Sequence, residues 1–231
     1  MRALAAVGAA LSLLVIAGCA GGQQQPLPSP PTSAAPPAVS SLEAAQRGLE
    51  TMRGLAHQGS NYATLGFASQ QEADTATLDA PMHIILVRLD QLLEYRPGGD
   101  PAALLSDTGQ DFYPVLANGQ TRSSLIVGAA SGQRYTAASF GGATLARTLA
   151  ARRDTMAAAP RESGASEPAA IVHVAALNLY FLGYQQRGRL MLVPAVDNVS
   201  FGLRAGLPMP AATVFAGLAE RARTMRFDKP S

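Results

Sequence analysis

Phe112 to Ala117, then Asn118-Gly119, then Gln120 to Val127 is the stretch that most narrows the folds open to this chain. Asparagine and glycine tolerate the positive backbone angles of a two-residue hairpin turn, so the flanking segments are expected to pair antiparallel. A second turn at Ser131-Gly132 leads into Gln133 to Phe140, which alternates as a third strand, and residues 112–140 read as a meander. Ile171 to Tyr184 is apolar on both alternating faces, the pattern of one long strand covered on both sides. Gln185 to Gly188 turns it into Arg189 to Val196, giving a hairpin over 171–196.

Helical spacing surrounds these strands. Leu42, Ala45, Leu49, Met52 and Leu55 recur at three- and four-residue intervals behind Ser40 and Ser41, which predicts a capped amphipathic helix. Asn61 to Ala68 reads as extended. Ser69-Gln70-Gln71-Glu72 has the capping-box form, which predicts a short helix reaching about Leu78 before Pro81. His83 to Leu89 reads as a strand and Asp90 to Tyr95 as one helical turn. Ala143 to Met156 predicts a helix with Leu145 and Leu149 inward and Arg147, Arg152 and Arg153 outward. Ala157 to Pro168 reads as a loop. Pro210 suits a first helical position, ahead of a closing helix from Ala211 to Arg226 with Val214, Leu218 and Ala222 buried. No internal repeat of useful fidelity is found. Meanders and hairpins with helices at intervals predict an α+β domain, mainly antiparallel sheet packed with helices, as a single unit over residues 41–231.

The first forty residues are of another kind. Met1-Arg2 precedes an uncharged run from Ala3 to Ala17, which ends at Gly18-Cys19-Ala20-Gly21-Gly22. A positive end, an apolar stretch and small residues before a cleavage point make the layout of an export signal. The run stops short of the roughly 20 apolar residues that a membrane span requires. Ala20 to Ser40 is rich in Pro, Gln, Ser and Ala and reads as an extended tether, reaching about 3.1 Å per residue where it is Pro-rich.

At Ile16-Ala17-Gly18-Cys19 the sequence resembles bacterial lipoprotein precursors, whose lipobox sets an aliphatic residue and two small residues before the cysteine that accepts a diacylglyceryl group. The resemblance covers residues 1–19 and says nothing of the domain. It implies a signal peptide over 1–18, lipidation at Cys19 with a tether over 19–40, and membrane lipid as partner through the acyl anchor. It also implies the cell envelope as location. Ala20 stands where an inner-membrane retention Asp would be, so the expected place is the outer membrane facing the periplasm, or the outer face of the plasma membrane if there is only one. The plain alternative is a cysteine that merely ends a conventional signal or a short membrane helix.

Composition excludes more than it suggests. With 18 Lys plus Arg against 16 Asp plus Glu, the net charge of +2 gives no field for nucleic acid. One cysteine excludes an internal disulfide framework and a cysteine-clustered zinc site. His57, His83 and His173 form no HxH or HxxxH pair, and each reads as an ordinary surface or core histidine. Gly128-Ala129-Ala130-Ser131-Gly132 is not a nucleophile elbow, and neither SxxK nor a glycine-rich phosphate cradle occurs. Asp107 and Asp111 flank Gly109 and read as a loop with at most a weak calcium site. No catalytic residue, cofactor or metal is therefore assigned.

Two surfaces stand out. Arg147, Arg152, Arg153 and Arg161 form a basic group, read either as a solvated helix face or as a contact for anionic wall polymer or headgroups. Tyr180 and Tyr184 should share one face of their strand, opposite Phe181, to accept a ligand or to cap the core. The expectation is a membrane-anchored envelope lipoprotein with a non-enzymatic binding or scaffolding domain, its partner an envelope protein or an anionic polymer. The alternative is an envelope hydrolase drawing its residues from separate strands and loops, with His83 or His173 as base and a distant Asp as orienter.

Overall fold

The structure is a computed structural model and describes residues 40–129, 135–158 and 170–225. The expected signal, lipobox and tether up to residue 39, the expected turn at Ser131-Gly132, Arg161 and most of the expected 157–168 loop lie outside the described residues. The described residues belong to one compact unit, and the buried apolar ones among them all fall between Ala44 and Ala222.

In chain order the elements are α1 (Ser41–Ala56), α2 (Asn61–Thr64), α3 (Gln70–Asp74), β1 (Thr77–Leu78), β2 (Met82–Val87), α4 (Leu89–Glu94), β3 (Leu105–Ala117), β4 (Gln120–Gly128), β5 (Thr136–Gly141), α5 (Ala143–Ala158), β6 (Ala170–Val174), β7 (Leu179–Gln186), β8 (Arg189–Pro194), β9 (Met209–Pro210) and α6 (Ala211–Thr224). The sheet has nine strands in the order β5-β4-β3-β2-β6-β7-β8-β9, with β1 added beside β3. Every pairing is antiparallel except β2 with β6. This is the α+β class with a mostly antiparallel sheet. The Asn118-Gly119 hairpin forms with both residues at positive φ, 52° and 71°.

Side chains alternate across the pleat, so the register assigns each core cluster to a face. On one face α1 lays Leu49 and Met52 on Tyr113, Val115, Leu125 and Val127. On the same face α6 lays Val214, Phe215 and Leu218 on Val172, Phe181 and Leu192. On the other face α5 packs Ala146 and Leu149 against Phe112, Ile171, Leu182 and Val193. The chain thus makes a four-strand meander plus helix twice, β2–β5 with α5 and β6–β9 with α6. The two units join through the parallel β2/β6 pair and cover opposite faces.

Several local expectations are corrected. Asn61 to Ala68 opens with a helical turn, α2, rather than an extended segment. The Ser69-capped helix ends at Asp74, because Thr77 and Leu78 pair with Leu116 and Val115 of β3. Residues 107–111 are not a loop: they belong to β3, whose register jumps from Ile84↔Gln110 to Ile85↔Asp107 and leaves Thr108 and Gly109 as a bulge. Gly109 takes φ 62°, the conformation such a bulge asks of glycine. Ile171 to Tyr184 is two strands, not one. A 3-10 turn at Ala175–Leu177 and the left-handed Asn178 fold it into an antiparallel pair, His173 opposite Tyr180. Pro210 is the N-cap of α6 rather than its first residue. Arg152 and Arg153 do not both point outward, as described next.

Candidate functional site

Two arrangements on β2 and its neighbours are built from residues distant in sequence. The first is a polar chain. His83 points from β2 to the face carrying α1 and α6, where its Nδ1 lies 2.9 Å from Asp111 Oδ1 and its Nε2 lies 2.8 Å from Asp107 Oδ1. In a regular strand, carboxylates four residues apart stand about 13 Å from each other. The Thr108-Gly109 bulge takes up that spacing and lets both close on one imidazole. Ionised carboxylates only accept, so the arrangement is fully satisfied when both ring nitrogens donate, as they do in the imidazolium form. Burial pulls the His83 pKa down, but the hydrogen bonds to Asp111 and Asp107 and their charges outweigh it and hold it above the usual histidine value. Asp107 is held below its usual value, first by the Gly109 N–H and then by His83.

The chain continues into α1. Ser41 Oγ donates to Asp111 Oδ2 at 2.5 Å and accepts from the Tyr113 hydroxyl at 3.0 Å. Serine, aspartate and histidine therefore meet in an order unlike that of a hydrolase: the serine bonds to the carboxylate, and no ring nitrogen is left to take its proton. What the arrangement does is fasten the first turn of α1 to the middle of the sheet. Asp107 and Asp111, expected as loop residues, reach His83 through the bulge. Among the described residues no group of three His, Cys, Asp or Glu side chains is disposed to hold a metal ion.

The remaining histidines have simpler surroundings. His57 caps α1 and pairs with Asp74 at 2.7 Å, half exposed. His173 stacks on Tyr180 with ring centroids 4.2 Å apart and 8° between planes, and burial pushes its pKa down. Tyr180 and Tyr184 do share a face opposite the fully buried Phe181, and both lie partly buried against the α5 cluster. The basic group is divided. Arg147 is exposed. Arg153 is drawn in, its guanidinium donating to Asp79, Asp154 and the Ala80 carbonyl. Arg152 lies against Gly206 with its Nε sealed from solvent.

The second arrangement is a hollow of about 680 Å³ at the carboxyl ends of the parallel pair. There β2 turns away towards β3 and β6 towards β7, so the two chains diverge and leave a crevice, the place where open sheets with parallel strands commonly bind ligands. Leu86, Val87, Leu89 and Leu93 line one side and Ala175 and Ala176 the other. Arg88 and Asp90 stand at the rim, paired to each other at 2.7 Å. The Arg88 hydrogen bond holds the Asp90 carboxyl down to about 2, which keeps the rim pair ionised and neutral in sum. The sequence offered no motif for this hollow, because its residues are ordinary apolar strand and helix positions. Only the unforeseen division of 171–184 into two strands brings Ala175 and Ala176 to it.

Among the described residues no helix is long and apolar enough to cross a membrane. No protein-family model, no curated protein and no solved structure matches this chain.

Proposed function

We propose that this protein is a lipid-anchored envelope lipoprotein whose α+β domain binds or scaffolds another envelope component through the hollow at the ends of β2 and β6. Cys19 is the acyl acceptor, residues 1–18 are the signal peptide, and 19–40 hold the domain off the membrane. The observation that carries the binding reading is the apolar hollow, shaped by diverging strands and lined by six aliphatic side chains with a self-neutralised rim. The anchoring reading is carried by Ile16-Ala17-Gly18-Cys19 at the end of the apolar run. The hydrolase alternative gains no support from His83, whose two nitrogens are both engaged by carboxylates while Ser41 bonds elsewhere.

Both halves are open to test in the native envelope. Cys19→Ala is expected to release the protein from the membrane fraction, and retention there contradicts the anchor. A photo-crosslinker at Ala176, an exposed position in the hollow, is expected to trap one defined envelope component, and Ala175→Glu should abolish that adduct. Capture that is indifferent to Ala175→Glu, or no capture, contradicts the binding reading.

A further inference from the structure

Five large apolar side chains among the described residues are strongly exposed, and three of them, Val196 (52%), Val199 (91%) and Leu207 (52%), belong to the loop between β8 and β9. The loop is well built. Asn198 and Leu203 exchange two backbone hydrogen bonds of 2.9 Å, and Gly206 N–H donates to the Pro194 carbonyl across the neck. Phe201 and Leu203 turn inward to the α6 cluster. A 3-10 turn that packs Phe201 partly against the core and leaves Val199 in water is thus a fixed apolar tip. Clustered exposure of this kind marks a contact surface, whereas single exposed apolar residues are ordinary.

A second observation, independent of the first, is charge. The Arg152 guanidinium from α5 rests on Gly206, where any Cβ would collide with it. Its Nε is buried without an acceptor, and the side chain takes part in none of the ion pairs among the described residues. Arg204, exposed on the loop itself, likewise has no carboxylate partner among them. The one carboxylate of the loop, Asp197, accepts from Ala205 N–H at 2.8 Å. A half-buried guanidinium without a counter-charge is costly, and an anionic oxygen arriving from outside offsets that cost with a charge-assisted hydrogen bond.

An apolar loop that carries one uncompensated arginine and rests at Gly206 against another is complementary to a layer that is anionic at its surface and apolar beneath. A polar anionic polymer leaves Val199 in water, and an apolar protein surface leaves both arginines unmatched. We infer that loop 196–207 with Arg152 is a contact surface for an anionic phospholipid bilayer, Val199 entering the headgroup boundary while Arg152 and Arg204 each take a phosphate oxygen. The setting rests on the anchored-lipoprotein reading, since a tethered domain needs only weak contacts at high effective concentration.

The test uses the compact unit Pro37–Ser231, which contains the whole described core and lacks Cys19. Its sedimentation is measured with phosphatidylcholine vesicles and with vesicles of phosphatidylcholine and phosphatidylglycerol in equal parts. It should bind the mixed vesicles, not the neutral ones, and lose binding as salt rises. Arg204→Gln and Arg152→Gln should each weaken binding about fivefold, the effect of one basic side chain at an anionic surface. Val199→Asp should abolish it. Val199 and Arg204 are exposed, so those two variants should melt as the parent does, which separates lost contact from lost fold. Equal binding to neutral vesicles, no binding to mixed ones, or variants that bind like the parent overturn the inference. Because the unit carries no acyl chain, such failure leaves the Cys19 anchor standing, and an unlipidated Cys19 leaves this contact standing.

Discussion

At the scale of residues, His83 makes stability depend on pH. Its pKa is raised in the fold, so its contribution to stability is complete below the ordinary histidine value and is lost as pH rises through the raised one. Asp107 adds a smaller contribution on the acid side, since its lowered pKa means a contribution complete above the ordinary aspartate value and lost as pH falls through the lowered one. Charge-assisted hydrogen bonds are worth more than neutral ones, but the ring is 33% exposed and Asp107 72%, so solvent screening reduces the gain. His83→Gln should lower the free energy of unfolding by about 1 kcal/mol in urea titrations near about pH 5.5, with the difference shrinking towards about pH 9. Ser123 behaves in the opposite sense. It is fully buried on β4 and its hydroxyl has no hydrogen-bond partner, so Ser123→Ala should leave stability unchanged or raise it by up to about 1 kcal/mol in the same titration. The sequence showed His83, Asp107 and Asp111 singly but not their meeting, because a bulge depends on a register that only the partner strand defines.

At the scale of elements, α1 carries two glycines with opposite roles. A Cβ at Gly48 would lie 2.9 Å from two Leu125 methyl carbons and 3.0 Å from Ala137, whereas one at Gly54 would meet nothing within 4 Å. Gly54→Ala should therefore raise stability by about 0.5–1 kcal/mol through helix propensity alone. Gly48→Ala should lower it by roughly 1–2 kcal/mol, because overpacking at the sheet exceeds that gain. Thermal melts of the two variants should move in opposite directions. A second fastening joins α3 to the β3–β4 hairpin. The buried Glu72 carboxylate accepts from Ala68 N–H, from Arg122 Nε at 2.9 Å and from Asn118 Nδ2 at 3.4 Å. The Ala68 N–H and then Arg122 hold its pKa below the usual value against the opposing effect of burial. Glu72→Gln should cost about 2–4 kcal/mol at neutral pH, and the gap to the parent should narrow as acid protonates the carboxylate below about pH 4. The serine cap of α3 was legible at Ser69, but the helix stopped early because β1 was claimed by β3. Likewise Ile171 to Tyr184 read as one strand because both halves are apolar throughout. Asn178, a residue that tolerates the left-handed conformation, was the one local hint of the turn, and pairing between the halves decided it.

At the scale of the whole molecule, two meander-plus-helix units meet at a parallel pair, and that meeting makes the hollow at the ends of β2 and β6. The α+β class was readable from the Asn118-Gly119 hairpin and the amphipathic helices. The joining of the units was not, since a parallel pair between β2 and β6 links residues about 90 positions apart with no turn to announce it. The same end of the sheet carries the loop with Val199, because β2, β6 and β8 run the same way. A proposed binding hollow and a proposed lipid contact at one end of the sheet suit a domain that works close to a bilayer, and the proposed anchor is what would bring it there. The most direct measurement is mass spectrometry of the N-terminal peptide of the protein purified from its native envelope. The account predicts a chain that begins at Cys19 and carries a diacylglyceryl thioether on its sulfur. A mature chain that begins elsewhere, or a Cys19 with a free thiol, contradicts it.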